Sequence, residues 1–249
     1  MSEFLEVDNL SKHFGGLRAV DQVSFAVEQG SLAAIIGPNG AGKTTLFNLV
    51  AGTLSPTSGH VRFEGTVPRA PCAAARMGVA RTFQNVRLFH EMTLLENVLV
   101  GMMQPRFLPG SLRLPPLVDH ERRQMRRALH VLEDVGLQDH WPERAGDLPF
   151  GRQRLLEIAR ATAINPKLLL LDEPAAGLNR TETAGLAKLI RRLVSKGITI
   201  LLVEHDMHLV MNLVERVIVL DSGRLIADGT PAEVSRDRAV VAASLGSLI

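Results

Sequence analysis

With 249 residues, 46% of them hydrophobic and 22% charged, the chain is long enough to bury one large apolar core and has none of the bias of a disordered or collagen-like sequence. A net charge of +2 is too mild to imply nucleic-acid binding, and no aromatic-interleaved basic stripe offers stacking to bases, so no nucleic-acid partner is expected. The single cysteine, Cys72, excludes an internal disulfide, and without a Cys/His cluster around it structural zinc is not expected either.

The opening "MSEFLEVDNLSKHF" is polar and acidic, not basic and then apolar, which predicts no secretory leader. No run reaches the roughly 18 apolar residues of a membrane span. The expected place of the chain is therefore cytoplasmic.

In chain order, "FLEVDNL", "QVSFAVEQG" and "SLAAIIG" read as β segments separated by glycine turns such as "FGGL". Gly42 to Ala51 reads as a helix opening off the strand Leu32 to Ile36, and "GHVRFEG" and "GVARTFQ" return to strand character. From Leu94 to Ala163 the apolar spacing is mainly helical, interrupted by "QPRFLPGSLRLPPL", whose prolines predict an exposed loop. Within it, Arg122, Arg123, Arg126 and Arg127 fall on one helix, with Met125, Leu129, Leu132 and Val135 as an apolar stripe, and are expected to be a solvated face.

The last third alternates as a parallel sheet requires: strand "KLLLLD", helix Thr181 to Ser195, strand "ITILLVE", helix Met207 to Leu213, strand "RVIVLDSG", closing strand "RLIADG" and a C-terminal helix. The fold expected is α/β with a helical segment inserted mid-chain.

"GPNGAGKTT", Gly37 to Thr45, fits G-x-x-x-x-G-K-[ST] after an apolar strand and at a helix start. Its residues Gly37, Pro38, Asn39, Gly40, Ala41, Gly42, Lys43, Thr44 and Thr45 form a candidate phosphate cradle. The glycines let backbone N–H groups surround phosphate oxygens, Lys43 neutralises charge, and the Thr44 hydroxyl is a Mg²⁺ ligand. Asp172, after four leucines, suits the metal shell, and its neighbour Glu173 suits polarising an attacking water. His205, in "LLVEHDM", is expected at the same sheet edge, in contact with the γ-phosphate or that water. ATP and Mg²⁺ are the expected substrate and metal.

These motifs in this order resemble the nucleotide-binding domain of ATP-binding cassette (ABC) transporters, and the resemblance runs over essentially the whole chain. It implies a P-loop NTPase sheet with an N-terminal antiparallel β subdomain and an inserted helical subdomain, residues 1–92 and 165–249 forming the catalytic core and about 93–164 the helical part. "KHFGG" is similar to the adenine-stacking loop, with Phe14 as the aromatic, and "RTFQNVRLF" to the Q-loop, giving Gln84 a role near Mg²⁺. "LDEPAAGLN" matches the second carboxylate motif and D-loop, with Asn179 where many members have Asp. The finer resemblance is to the ATPase subunits of branched-chain amino acid importers. Urea and amide importers and the lipopolysaccharide exporter are close alternatives, and a weakly hydrolysing regulatory subunit is another. The resemblance also implies transmembrane permease subunits, a second ATPase subunit in a heterodimer, and indirectly a substrate-binding protein, with the chain peripheral on the cytoplasmic face of the membrane.

In that family the signature of one chain completes the ATP site of its partner. Here Pro149, Phe150, Gly151 and Arg152 of "LPFGRQR" take those places in trans. Pro149 stands where a serine would offer a hydroxyl and an N–H to the γ-phosphate, and proline has neither donor. The loss of one such contact is expected to weaken closure by about 1.5–3 kcal/mol. Leu155, Ile158, Ala159 and Thr162 are expected to form the apolar face of the helix that follows.

Overall fold

The structure, a computed structural model, describes residues 3–68, 73–84, 86–102 and 117–245. Cys72 and the predicted proline-rich loop, apart from its last residue, lie outside them. Along the chain run β1 (Glu3–Phe14), β2 (Leu17–Glu28), β3 (Leu32–Ile36), α1 (Lys43–Val50), β4 (Ser58–Phe63), α2 (Ala73–Arg76) and β5 (Val79–Arg81). Helices α3 (Leu94–Met102), α4 (Leu117–Asp134) and α5 (Phe150–Thr162) follow. The chain ends with β6 (Leu168–Asp172), α6 (Arg180–Ser195), β7 (Thr199–Val203), α7 (Met207–Leu213), β8 (Arg216–Asp221), β9 (Arg224–Gly229), α8 (Pro231–Val234) and α9 (Arg238–Leu245).

The chain divides into two compact units, one of Met1–Gln84, Lys167–Ala176 and Thr183–Ile249, the other of Asn85–Pro166 and Gly177–Glu182. The first holds both sheets. A three-stranded antiparallel sheet has the order β2-β1-β4, and a six-stranded sheet the order β5-β6-β7-β3-β8-β9. In β2 the buried residues Val23, Phe25 and Val27 alternate with more exposed ones, so one face meets the core and the other meets solvent. Strands β3, β6 and β7 are buried at every position, as strands covered on both faces must be.

The pairing from β5 through β8 is parallel. The expectation of parallel order fails at the closing strand, since β9 is antiparallel to β8. Only Ser222 and Gly223 connect the two, at φ 48° and 80°, and a two-residue link with both angles positive makes a hairpin and is too short for a crossover. Arg216 and Asp228 clasp the pair through Nε–Oδ1 at 2.7 Å and Nη2–Oδ2 at 2.6 Å.

In the second unit α4 buries Ala128 and Leu132, with Val135 buried just past its end, and exposes Arg122, Arg123, Arg126 and Arg127, as a solvated face should. Met125 departs from the expected stripe, being 48% exposed. In α5 the buried face also differs. Ile158 and Ala159 are buried, but Leu155 and Thr162 are half-buried, and Arg154, Leu156 and Glu157 are buried instead. A pattern of apolar letters missed this because Arg154 and Glu157 neutralise each other inside, Nη1 to Oε2 at 3.0 Å.

Leu170, wholly buried at the centre of β6, sets the height of the sheet edge that carries the site. Leu170→Ala should destabilise the chain by about 2–5 kcal/mol, read as a lowered urea midpoint with secondary structure unchanged below it.

Candidate functional site

Between β3 and α1 the backbone must turn sharply beneath the sheet edge. Gly37 and Gly42 do so at φ 148° and 95°. A Cβ at Gly37 would overlap the Leu220 carbonyl, and one at Gly42 the Ala19 carbonyl, so both angle and space demand glycine. The Ala41 amide donates to the Pro38 carbonyl at 3.2 Å, and the Gly223 amide to the Ala41 carbonyl at 3.1 Å, which ties the loop to the β8–β9 hairpin.

The loop borders a cleft of about 570 Å³ lined by residues 39–45 with Leu17, Arg18, Ala19, Gln84, Glu173 and Ser222. Arg18 and Ser222 were not foreseen from the sequence; they arrive from the β2 and β8 ends, which no motif marks. Lys43 is buried, and its Nζ donates to the carbonyls of Gly37 and Pro38 at 2.7 and 2.9 Å. Burial lowers its pKa, while the charges of Glu173 and Asp172 oppose that shift. Thr44 is exposed on the cleft and Thr45 is half-buried. Phe14 is 49% exposed at the end of β1, with Lys12 Nζ 5.2 Å from its ring centroid, and does not line this cleft.

Strand β6 delivers the two acids. Asp172 is buried, and its Oδ2 accepts from Arg81 Nη2 at 2.7 Å. Glu173 follows at φ 47°, outside the usual region for a side-chain-bearing residue, with its amide donating to the Val203 carbonyl at 2.9 Å. Gln84 Nε2 donates to Glu173 Oε2 at 3.0 Å, and His205 Nδ1 stands 4.0 Å from the same oxygen, its side chain 64% exposed. Gln84, Glu173 and His205 are therefore gathered at one sheet edge.

Glu204 was missed, because one acid after an apolar strand carries no motif of its own. It is 1% exposed, and its carboxylate accepts from the Ala175 amide at 2.8 Å and the His205 amide at 3.2 Å, joining the loops that follow β6 and β7.

In the second unit Pro149 is the N-cap residue of α5. Its carbonyl accepts from the Arg152 and Gln153 amides at 2.9 and 3.1 Å, and no side chain caps the helix. Phe150 and Arg152 are exposed, and Gly151 is buried with the Glu182 carboxylate packed where a Cβ would project. Asn179 and Glu182 cap α6 reciprocally, Asn179 Oδ1 accepting from the Glu182 amide at 3.0 Å and Glu182 Oε2 from the Asn179 amide at 2.9 Å.

A family model described as "ABC transporter" matches residues 20–176, which span the cradle, Gln84, the Pro149 segment and the paired acids. The chain belongs to the ABC transporter family. A second model, "Branched-chain amino acid ATP-binding cassette transporter", matches residues 224–247. The high-affinity branched-chain amino acid transport ATP-binding protein BraF of Pseudomonas aeruginosa is 46% identical over 248 residues, 97% of each chain. LivG of Escherichia coli K12, of the same description, is 43% identical over 251 residues, again 97% of each.

Among solved structures, a nucleotide-free cassette from an ABC transporter superposes with TM-score 0.86 at 35% identity, covering 98% of this chain and 99% of that one. An ABC transporter cassette in its ADP conformation gives 0.86 at 33%, covering 99% and 100%. This ABC cassette thus has the P-loop sheet, antiparallel β sheet and helical insert of its family. Among the described residues no helix is long and apolar enough to cross a membrane.

Burial pushes the Glu204 carboxyl above its ordinary value of 4.5, opposed in part by the backbone N–H groups of Ala175, His205 and Asp206. The folded chain therefore binds this proton more tightly than the unfolded chain. The resulting stabilisation is full below the unfolded value and is lost as pH rises through the folded one. Glu204→Gln removes the titration, so the stability of the natural protein relative to this variant should fall as pH climbs from 4.5 toward neutrality. Urea midpoints of both across that range check it, and parallel curves would refute it.

Proposed function

We propose that this chain is the ATP-hydrolysing subunit of an importer for branched-chain amino acids, with Glu173 as general base and Asp172, Gln84 and Thr44 as the metal-side residues. The observation that carries the reading is the arrangement around one cleft of Lys43, Thr44 and a Glu173 carboxylate held by Gln84. The transport descriptions of BraF and LivG, at 43–46% identity over nearly whole chains, supply the substrate class.

Backbone N–H groups of residues 39–45 and the N-terminus of α1 receive the β- and γ-phosphates, as the positive end of a helix favours anions. Lys43, released from the Gly37 and Pro38 carbonyls, turns its ammonium to phosphate oxygen. Among the described residues no cluster of three or more His, Cys, Asp or Glu is placed to hold a metal alone. That fits Mg²⁺, which takes one or two protein carboxylates along with phosphate oxygens and water. Bound there, Mg²⁺ supplies neutralisation of phosphate charge.

Glu173 accepts the proton of the attacking water, and Gln84 keeps that carboxylate aimed at the cleft. His205, next to the same oxygen, contacts the γ-phosphate side. Phe14 stacks on adenine from its exposed place on β1.

Pro149, Phe150, Gly151 and Arg152 face the ATP of a second cassette, and a dimeric ABC cassette bound to ADP and Pi, at TM-score 0.77 and 26% identity, supports pairing of this kind. The chain works as a heterodimer with a second ATPase subunit beneath transmembrane permease subunits, peripheral to the cytoplasmic face, served by a substrate-binding protein. Its own catalytic set is complete, and its altered signature weakens the partner's site.

In the complex reconstituted with permease subunits and binding protein, Glu173→Gln should abolish ATP-driven leucine uptake and lower hydrolysis by about 100-fold or more, with ATP binding retained. Near-normal hydrolysis would overturn the assignment. Pro149→Ser, which restores a hydroxyl at the helix N-terminus, should raise the ATPase rate of the same complex. An unchanged or lower rate would show that the proline does not weaken the partner's site.

A further inference from the structure

The segment 81–84 closes over the end of β6 and reaches both consecutive carboxylates. Arg81 Nη2 donates to Asp172 Oδ2 at 2.7 Å, and Gln84 Nε2 donates to Glu173 Oε2 at 3.0 Å. Between them Thr82 is locked by backbone pairing: its amide donates to the Leu170 carbonyl at 2.9 Å, and its hydroxyl accepts from the Asp172 amide at 3.3 Å.

The Arg81 guanidinium is itself constrained by neighbouring elements. Its Nη1 donates to Asn48 Oδ1 at 2.5 Å. Its Cζ lies 5.7 Å from the centroid of the Phe47 ring and 5.4 Å from that of Phe83. The side chains of Arg81 and Asp172 are only 9% and 5% exposed. Asn48 and Phe47 belong to α1, the helix that begins in the phosphate cradle. One planar cation thus joins that helix, the strand leading to Gln84 and the metal-side carboxylate.

A buried ion pair of this kind is poor evidence for stability, since desolvation offsets most of its attraction; its use is in fixing geometry. Arginine suits the task because two nitrogens of one rigid plane serve two partners at once and the plane packs on aromatic faces, which the single ammonium of lysine does not do. The bond from Arg81 to Oδ2 restrains rotation of the Asp172 carboxylate.

We propose that Arg81 is a positioning residue for the metal, holding Asp172 in the orientation from which its carboxylate meets the Mg²⁺ of a metal–nucleotide complex and anchoring that orientation to α1 through Asn48. The proposal rests on the reading of Asp172 as a metal-side residue. Arg81 is not among the residues lining the cleft, and it acts only through Asp172.

The test is ATP binding by calorimetry, with Mg²⁺ and with EDTA, on the full chain and its Arg81→Gln, Asp172→Asn and doubly substituted forms. Loss of an outer partner of a metal ligand costs about 10–100-fold in metal affinity. Arg81→Gln should therefore cut the gain in ATP affinity that Mg²⁺ confers by about tenfold while leaving affinity in EDTA unchanged. Asp172→Asn should also cut it, and adding Arg81→Gln to that variant should do nothing more. Arg81→Lys, which keeps the charge but reaches one partner, should give an intermediate loss; it carries the test if Arg81→Gln does not fold. A full Mg²⁺ effect in the Arg81 variants beside a reduced one in Asp172→Asn would overturn the proposal alone. A full effect in Asp172→Asn would remove the reading beneath it, and equal losses with and without Mg²⁺ would make Arg81 merely structural.

Discussion

The backbone turn between β3 and α1 is the constraint on which the rest of the site depends. At Gly37 and Gly42 the chain passes so close to the Leu220 and Ala19 carbonyls that no side chain fits, and it does so at angles glycine alone adopts freely. Because that loop is also tied to the β8–β9 hairpin through Gly223 and Ala41, the cradle is held from two directions. The backbone of this turn is thus set in place by the sheet, and a segment already ordered has less ordering cost on binding.

Charges then collect at the carboxyl ends of parallel strands for the same reason. Strands β6 and β7 are buried throughout, so their charged residues appear together where the strands end. Asp172, Glu173, Glu204 and His205 all emerge there. Their proximity would be costly without partners, and each acid has found one: Arg81 for Asp172, Gln84 for Glu173, and the amides of Ala175 and His205 for Glu204. At Glu173 the chain turns at φ 47°, and the two consecutive acids take different partners.

In the second unit the entry to α5 has a different logic. The proline at its N-cap satisfies the backbone geometry of a helix start without offering a donor, so the helix forms whether or not the segment binds phosphate. Asn179 caps α6 through its own side-chain oxygen. Proline at 149 and asparagine at 179 are therefore both compatible with the local fold.

By itself the sequence determined the strands and helices with strong period, the glycine turn between β3 and α1, the two acids at the end of a buried strand, and the family, because these depend on local spacing and on residue types with few substitutes. Burial of uninterrupted apolar strands was legible for that reason too. Tertiary structure alone decided the rest. The antiparallel β9 follows from two backbone angles at Ser222 and Gly223; the buried Arg154–Glu157 pair follows from charges that cancel only when packed. Arg81 and Asn48, separated by 33 residues and each ordinary in its own segment, acquire a shared task because α1 and β5 meet above β6. Long-range pairing of polar groups leaves no period in a sequence, since the energy that selects it exists only after folding has removed water from both partners.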